Sequence, residues 1–270
     1  MKRVVRIPLF VPFCAALQGV SLFAAFVSVG SLYYLRAVFY NLTMKQIPPV
    51  TKNLIAINIL MFFAAFVLEQ KLDIDLKGIL GLHLFIAEDF HPYQFVTYMF
   101  MHGGFTHLFF NMFALYMFGM VLERVWGSKR FLIYYFVTGL GAALIQEIVQ
   151  YGYYAMYLEQ YHSVNLGGMI VPMSVYLNMW NTVGASGAIY GLLLAFAMMF
   201  PNEKMFVVPI PVPIKAKYYV IIFCLLELFL GLSNNSGDNV AHFAHLGGVL
   251  FGWILIIKWR INNKIGGPYV

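Results

Sequence analysis

Long apolar runs separated by short polar segments dominate the chain from residue 50 onward. A helix needs about 20 consecutive apolar residues to cross a bilayer, and six runs approach that length. The pattern therefore predicts an all-α, polytopic membrane protein built on six spans. The predicted spans are 53–69, 105–122, 130–150, 184–200, 217–232 and 241–259.

Three connections between these spans are longer than a tight turn. Residues 70–104 are partly polar and partly amphipathic, and residues 151–183 are rich in Tyr, Met and Asn. The segment PNEKMFVVPIPVPIKAK, which begins at Pro201, is predicted to be a loop, because proline cannot continue a helix and restricts the residue before it. The sequence therefore predicts three parts of the chain: an N-terminal extension over residues 1–43, a core over residues 44–264 and a short cytoplasmic tail over residues 265–270.

The extension over residues 1–43 is apolar enough to span a membrane, but basic residues flank it on both sides. Charge therefore does not orient it. A cleaved signal peptide is not favoured, because no small-x-small site precedes a polar mature start. Three interpretations stay open: an additional N-terminal span, a helix on the membrane surface, or a natural start at Met44.

Composition excludes a soluble globular protein. Of the 270 residues, 61% are hydrophobic and 10% are charged, against about 45–50% and about 25% in soluble domains. The net charge of +6 does not indicate nucleic-acid binding, because the Lys and Arg residues fall in clusters between apolar runs, as topology-setting loops do. Cys14 and Cys224 lie far apart in apolar runs and offer neither a disulfide framework nor a metal-binding spacing.

The basic residues also predict which way the core faces. From residue 45 onward only Lys71 and Lys77 fall on one side of the predicted spans. The positive-inside rule then puts both ends of the six-span core in the cytoplasm, and Ser186 just inside the outer face. The basic residues assigned to the cytoplasmic side are Lys45, Lys52, Arg124, Lys129, Arg130, Lys204, Lys215, Lys217, Lys258, Arg260 and Lys264.

Polar residues inside spans are costly and are candidates for function. In MHGGFTHLFFNMFALYMFG, His107 and Asn111 are four residues apart and share one helix face. Taken alone, they could equally be a hydrogen-bonded pair that holds the bundle together. His102 lies nearer the membrane edge, where a solvated or structural histidine is expected.

The fourth predicted span begins with GASGAIYG, in which Ser186 precedes the pair Gly187 and Gly191. A G-x-x-x-G pair lets another helix approach closely. A packing motif with a small polar residue would account for this segment by itself.

The sixth predicted span carries AHFAHLGGVLFGW, with a second small-x-x-x-small pair at Gly248 and Gly252. At 100° per residue, His245 lies on the same face as these glycines, and His242 lies at the edge of that face. A histidine satisfied within the core would also fit this pattern.

Taken together, these three polar clusters predict a catalytic site for acyl transfer. If the two glycine faces pack, Ser186 meets His245, and a histidine is the usual base that activates a serine. His107, Asn111 and the backbone N–H of Ser186 could stabilise an oxyanion. Because no acidic residue lies within a helical turn of His245 on its face, we predict a Ser–His dyad. Tyr190, on the serine's face, could stack on the imidazole and orient it.

At this point the sequence resembles the rhomboid family of intramembrane serine proteases. GASG at 184–187 resembles the family's G-x-S-G, which implies that Ser186 is the nucleophile and that Gly184 and Gly187 support it. AHLGGVLFG at 244–252 resembles A-H-x-x-G-x-x-x-G, which implies that His245 is the base.

HGGFTHLFFN at 102–111 resembles the family's H-x-x-x-x-H-x-x-x-N and implies an oxyanion role for His107 and Asn111, while ERVWGSKRFLIYY resembles the connection between the second and third spans. The resemblance covers about residues 50–260. One departure is that 70–104 lacks the Trp–Arg pair often seen in bacterial members.

The resemblance implies a rhomboid-like six-helix bundle with lateral substrate entry. It implies an endopeptidase that cuts transmembrane protein substrates near the outer end of a helix, in a bacterial inner or cytoplasmic membrane. No cofactor, metal or nucleic acid is expected, and the oligomeric state stays open. The alternatives are a catalytically inactive rhomboid-like binder of membrane proteins, or a transporter, which the absence of a convincing internal repeat disfavours.

Overall fold

The computed structural model describes residues 4–7, 47–207, 210–233 and 241–261. Within these residues the α-helices are α1 Pro49–Leu72, α2 Leu76–Leu80, α3 Gln94–Thr97, α4 Phe105–Ala114, α5 Met120–Trp126, α6 Ser128–Tyr153, α7 Met173–Asn178, α8 Ser186–Met199, α9 Ala216–Leu232 and α10 His242–Ile261. The strands are β1 Val4–Ile7, β2 Leu82–His83, β3 Ser163–Leu166, β4 Met169–Pro172, β5 Asn181–Thr182, β6 Lys204–Val207 and β7 Ile210–Lys215.

The predicted all-α polytopic architecture is confirmed, because each predicted span coincides with a helix. Among the described residues, four helices are long and apolar enough to cross a membrane, namely Pro49–Leu72, Phe105–Trp126, Ser128–Leu158 and His242–Ile261. Two of these include a π-helical turn, at Leu115–Gly119 and Tyr154–Leu158. The shorter helices α8 and α9 complete the six.

Helix α8 is short for a membrane protein. Its 14 residues rise about 21 Å at 1.5 Å per residue, less than the ~30 Å hydrocarbon core. Pro201 follows directly after the residue that ends it. At that end the guanidinium of Arg260, on α10, donates to the carbonyl oxygen of Met198 at 2.9 Å. The helix is therefore fixed at one end and cannot reach both membrane surfaces.

Helices α6, α8 and α10 form the centre of the bundle, where small residues allow close approach. A Cβ added at Gly248 of α10 would overlap the backbone carbonyl of Gly187 on α8. The other two glycines face α6: a Cβ at Gly191 would meet Thr138, and one at Gly252 would meet the hydroxyl of Tyr134. The two glycine faces thus touch at one point, and α6 fills the rest of the junction.

A buried carboxylate stabilises the end of the bundle that Arg260 occupies, where Trp126 of α5 contacts Trp259 of α10. Glu123 accepts hydrogen bonds from the backbone N–H groups of Val50 and Thr51 at 3.0 and 2.7 Å. It also accepts from the hydroxyls of Thr51, at 2.8 Å, and Ser128, at 2.6 Å. Because Pro48 has no side chain that can cap α1, Glu123 supplies the cap and joins α1 to the α5–α6 turn.

The long connections contain strands that the sequence did not predict. Strands β3 and β4 form an antiparallel hairpin within 151–183, and β1 pairs with β3 in parallel. Strands β6 and β7 pair antiparallel where a proline-broken loop was predicted. Strand β2 pairs with β5 directly before the GASG segment, which ties the 70–104 connection to the start of α8.

Most of the N-terminal extension and the predicted tail lie outside the described residues. The three interpretations of residues 1–43 and the tail over 265–270 therefore stay predictions. Residues 4–7, which are described, form strand β1.

Candidate active site

Ser186 and His245 lie in hydrogen-bonding contact. Nε2 of His245 is 2.9 Å from Oγ of Ser186, although 59 residues separate them in sequence. Ser186 is the first residue of α8 and is partly exposed, whereas His245 is buried on α10. The serine hydroxyl therefore has one side against a base and one side open.

The backbone before Ser186 requires glycine. Gly184 has φ of +131°, a conformation that residues with a side chain rarely adopt, and its N–H donates to the carbonyl oxygen of Tyr98 at 2.9 Å. A Cβ at this position would also lie 2.8 Å from Cε1 and 2.9 Å from Nε2 of His107. Glycine here thus allows both the turn into α8 and the close approach of an imidazole.

Tyr190 lies flat on the ring of His245. The two ring centroids are 4.2 Å apart and the rings are within 6° of parallel. Because Tyr190 is four residues after Ser186 on α8, one helix carries both the hydroxyl and the aromatic surface that the imidazole contacts.

A carboxylate that the sequence analysis missed completes this cluster. Glu227 of α9 is buried, and its Oε2 lies 3.0 Å from Nδ1 of His245 and 2.5 Å from Nδ1 of His242. Its Oε1 accepts a hydrogen bond from the hydroxyl of Tyr190. The N–H direction at Nδ1 of His245 is not aligned with Oε2, so this contact is a charge contact more than a hydrogen bond.

Glu227 carried a sequence signal, because it is the one acidic residue in its apolar run. An ionisable group inside a span is a functional candidate by default. The dyad prediction considered acidic residues near His245 in sequence, whereas this carboxylate is contributed by the neighbouring helix α9.

The predicted oxyanion residues lie on α4. Nδ1 of His107 accepts a long hydrogen bond, 3.4 Å, from the backbone N–H of Gly103. A histidine that accepts at Nδ1 carries its proton on Nε2, and this is the nitrogen nearest Gly184. Nδ2 of Asn111 is buried without a hydrogen-bond partner among the described residues. Asn111 thus holds a buried donor that no described residue uses, and Nε2 of His107 lies beside the turn that leads to Ser186.

His102 is buried against His107 instead of solvated at the membrane edge. The ring centroids of the two histidines are 5.1 Å apart in an edge-to-face arrangement. Burial first, and the neighbouring His107 second, lower the pKa of His102 to about 3. His102 is therefore neutral across physiological pH.

Glu227, His242 and His245 are also a set of residues whose chemistry could hold a metal ion, since one ligand atom from each lies within 4.8 Å of the others. In the described structure these atoms already pair with one another, and His245 pairs in addition with Ser186. The arrangement therefore fits a cluster of hydrogen-bonded and charge-paired side chains better than a metal site.

The family model and the similar proteins found by comparison all belong to one family. A family model described as Rhomboid domain matches residues 89–260. The chain is 28% identical over 216 residues to Rhomboid protease AarA of Providencia stuartii, covering 77% of this chain and 72% of that protein.

Two further relatives are longer than this chain. Identity is 26% over 182 residues to RHOMBOID-like protein 5 of Arabidopsis thaliana, covering 67% of this chain and 48% of that protein. Identity is 27% over 209 residues to Rhomboid protease GluP of Bacillus subtilis (strain 168), covering 76% of this chain and 34% of that protein. The chain thus spans less than half the length of these two.

Proposed function

The chain belongs to the rhomboid family, and from that premise we propose that it is an intramembrane serine endopeptidase that hydrolyses peptide bonds in or near the transmembrane helices of membrane-protein substrates. It is an integral, multi-pass membrane protein. The observation that carries the proposal is the 2.9 Å contact between Nε2 of His245 and Oγ of Ser186.

In the proposed reaction, Oγ of Ser186 attacks the carbonyl carbon of the scissile bond while Nε2 of His245 takes the hydroxyl proton. The tetrahedral intermediate collapses, the C–N bond breaks, and Nε2 gives the proton to the leaving amine. Water then attacks the acyl-enzyme, loses its proton to the same nitrogen, and releases the acid as the hydroxyl of Ser186 re-forms. The cycle uses no cofactor.

The oxyanion of each intermediate would be stabilised by His107, Asn111 and the backbone N–H of Ser186. Two observations support this role: the buried Nδ2 of Asn111 has no hydrogen-bond partner among the described residues, and Nε2 of His107 lies beside Gly184, two residues before Ser186. A well-placed donor in such a site contributes about 2.7–4 kcal/mol to the transition state.

Hydrolysis requires water, and the partial exposure of Ser186 at the head of the short helix α8 supports access from one aqueous side. The basic residues favour the topology in which that side is outside and both ends of the core are cytoplasmic. A bacterial inner membrane is proposed by analogy with the family alone. A spanning helix hides its peptide bonds, so we expect substrates with Gly, Pro or polar residues near the cut.

Labelling with a fluorophosphonate probe, which reacts with activated serines, tests the proposal. The purified full chain in detergent should label, and Ser186→Ala and His245→Ala should not. Ser174→Ala, which removes an exposed serine of α7, is the matched control and should label like the wild type.

Label that persists in Ser186→Ala, or a folded wild type that does not label, would refute an activated serine. The second result would favour an inactive binder of membrane proteins. A transporter would in addition be expected to keep its transport after Ser186→Ala.

A further inference from the structure

Glu227 is a carboxylate placed where a membrane protein should avoid one. It lies on the apolar helix α9, is only 4% exposed, and contacts the two histidines of α10 and the tyrosine of α8. A buried acid is costly unless its charge is used or compensated. Its contacts lead directly to the proposed catalytic base.

We propose that Glu227 is a positioning residue that stays ionised and stabilises the protonated form of His245 during catalysis; this inference rests on the proposed function. The ring of His245 lies between two partners, with Nε2 at 2.9 Å from Ser186 and Nδ1 at 3.0 Å from Glu227. When Nε2 takes the serine proton, the imidazole becomes a cation with an anion beside it. Glu227 itself takes no proton.

The carboxylate also selects the tautomer of the resting base. A neutral imidazole with its proton on Nδ1 leaves a lone pair on Nε2 to accept from the serine. A negative charge 3.0 Å from Nδ1 favours that form. Ring orientation is set separately, because the N–H of Nδ1 is off the line to Glu227 while Tyr190 stacks flat on the ring.

Two hydrogen bonds hold the carboxylate in place. The hydroxyl of Tyr190 donates to Oε1, and Nδ1 of His242 donates to Oε2 at 2.5 Å. Tyr190 thus contacts the base with its ring and the acid with its hydroxyl. Bonds to an ionised acceptor are stronger than neutral ones, so the network favours the charged form of Glu227.

The titratable groups that face this cluster come from several elements. His107 approaches His245 from α4, Tyr190 from α8 and Glu227 from α9, and His242 lies on the same helix as His245. Among these groups only the carboxylate carries a negative charge. Its removal should therefore make protonation of His245 less favourable.

The test is the rate constant of fluorophosphonate labelling, measured from pH 4.5 to 9 on the purified full chain in detergent. Glu227→Gln keeps the size and loses the charge, so labelling should slow about 100-fold. This is less than a triad acid costs when its bond to the base is aligned, about 10⁴. The acid limb of the pH profile should also move to lower pH by about one unit.

Two further variants make the result specific. Glu227→Asp restores the charge and should recover part of the rate and of the profile. Glu123→Gln changes another buried carboxylate of the bundle, at the end away from the site, and should leave the profile where it is in the wild type. Thermal unfolding of each variant shows which have folded. If Glu227→Gln does not fold, Glu227→Asp tests the proposal, because a carboxylate farther from Nδ1 of His245 should shift the acid limb part of the way to lower pH, and an unmoved limb with slower labelling would refute it.

A rate within threefold of the wild type, or a slower rate with an unmoved acid limb, would refute the proposal and leave Glu227 as a packing element. If the wild type labels normally while Glu227→Gln gives either of these results, the proposed function stands and only the role of Glu227 is refuted. An unlabelled wild type would refute that function, and this inference with it.

Discussion

Replacing Gly248 by Ala should move Ser186 and His245, the proposed catalytic pair, apart without changing either residue. A Cβ at Gly248 would overlap the carbonyl oxygen of Gly187, whereas a carbon and a carbonyl oxygen normally meet no closer than about 3.3 Å. Both atoms belong to helices, so α8 and α10 must move apart. Gly187 adjoins Ser186, and His245 is three residues before Gly248.

The tolerance for that movement is small. The Nε2–Oγ distance is 2.9 Å, and such hydrogen bonds weaken beyond about 3.2 Å, which leaves roughly 0.3 Å. A displacement near 1 Å costs about 10²-fold in rate when it misplaces reacting groups. Overpacking costs about 1–3 kcal/mol, partly offset by the gain of about 0.5–1 kcal/mol for Gly→Ala within a helix.

The assay is the labelling rate together with unfolding in detergent. Gly248→Ala should label about 100-fold more slowly and unfold more easily by about 1–2 kcal/mol. Gly152→Ala is the matched control, because a Cβ at Gly152 of α6 meets nothing within 4 Å. It should label normally and be slightly stabilised. A Gly248→Ala protein that labels at the wild-type rate would refute the idea that this contact sets the Ser–His distance.

Three other predictions follow from contacts away from the scissile bond. Glu123→Ala should lower the free energy of unfolding by about 2–4 kcal/mol, because it removes a buried charged acceptor from several donors, while labelling of the folded protein stays unchanged. Tyr190→Phe keeps the stack on His245 but loses the bond to Glu227, so it should slow labelling about tenfold, and Tyr190→Leu, which loses both, should slow it further than Tyr190→Phe. The pKa of His102 is about 3 in the folded chain and about 6.5 in the unfolded chain. The free energy of unfolding should therefore fall as pH drops between these values, by at most about 1.4 kcal/mol per pH unit from this group. In urea or detergent unfolding, His102→Phe should lose less stability than the wild type between pH 6.5 and pH 4.5.

The spans could be predicted because membrane crossing imposes a length and a composition that the sequence shows directly. The run predicted at 53–69 lies inside Pro49–Leu72, and the run predicted at 241–259 nearly coincides with His242–Ile261. The ends shifted by a few residues because caps decide them, and Glu123, remote in sequence, caps α1.

What the sequence could not predict depends on how elements meet across the bundle. Strand β7 of the β6–β7 hairpin contains prolines, which ordinarily argue against a strand. That β6 and β7 pair is evident only from the three-dimensional structure. Glu227 was missed for a related reason: the rotation of α9 about its axis, which no local pattern fixes, brings that residue to His245.

The short helix α8 has a consequence for how a cleavage site would be selected. Arg260 holds one end of α8, and Ser186 stands at the other, about 21 Å away along the axis. In the proposed topology the length of α8 sets the distance between the cytoplasmic surface and the position of Ser186, where a substrate would be cut. Bilayer thickness then affects which bond is cut. A thicker membrane holds the same substrate helix at a different height relative to Ser186, and the cleaved bond shifts by one residue for each ~1.5 Å of that displacement.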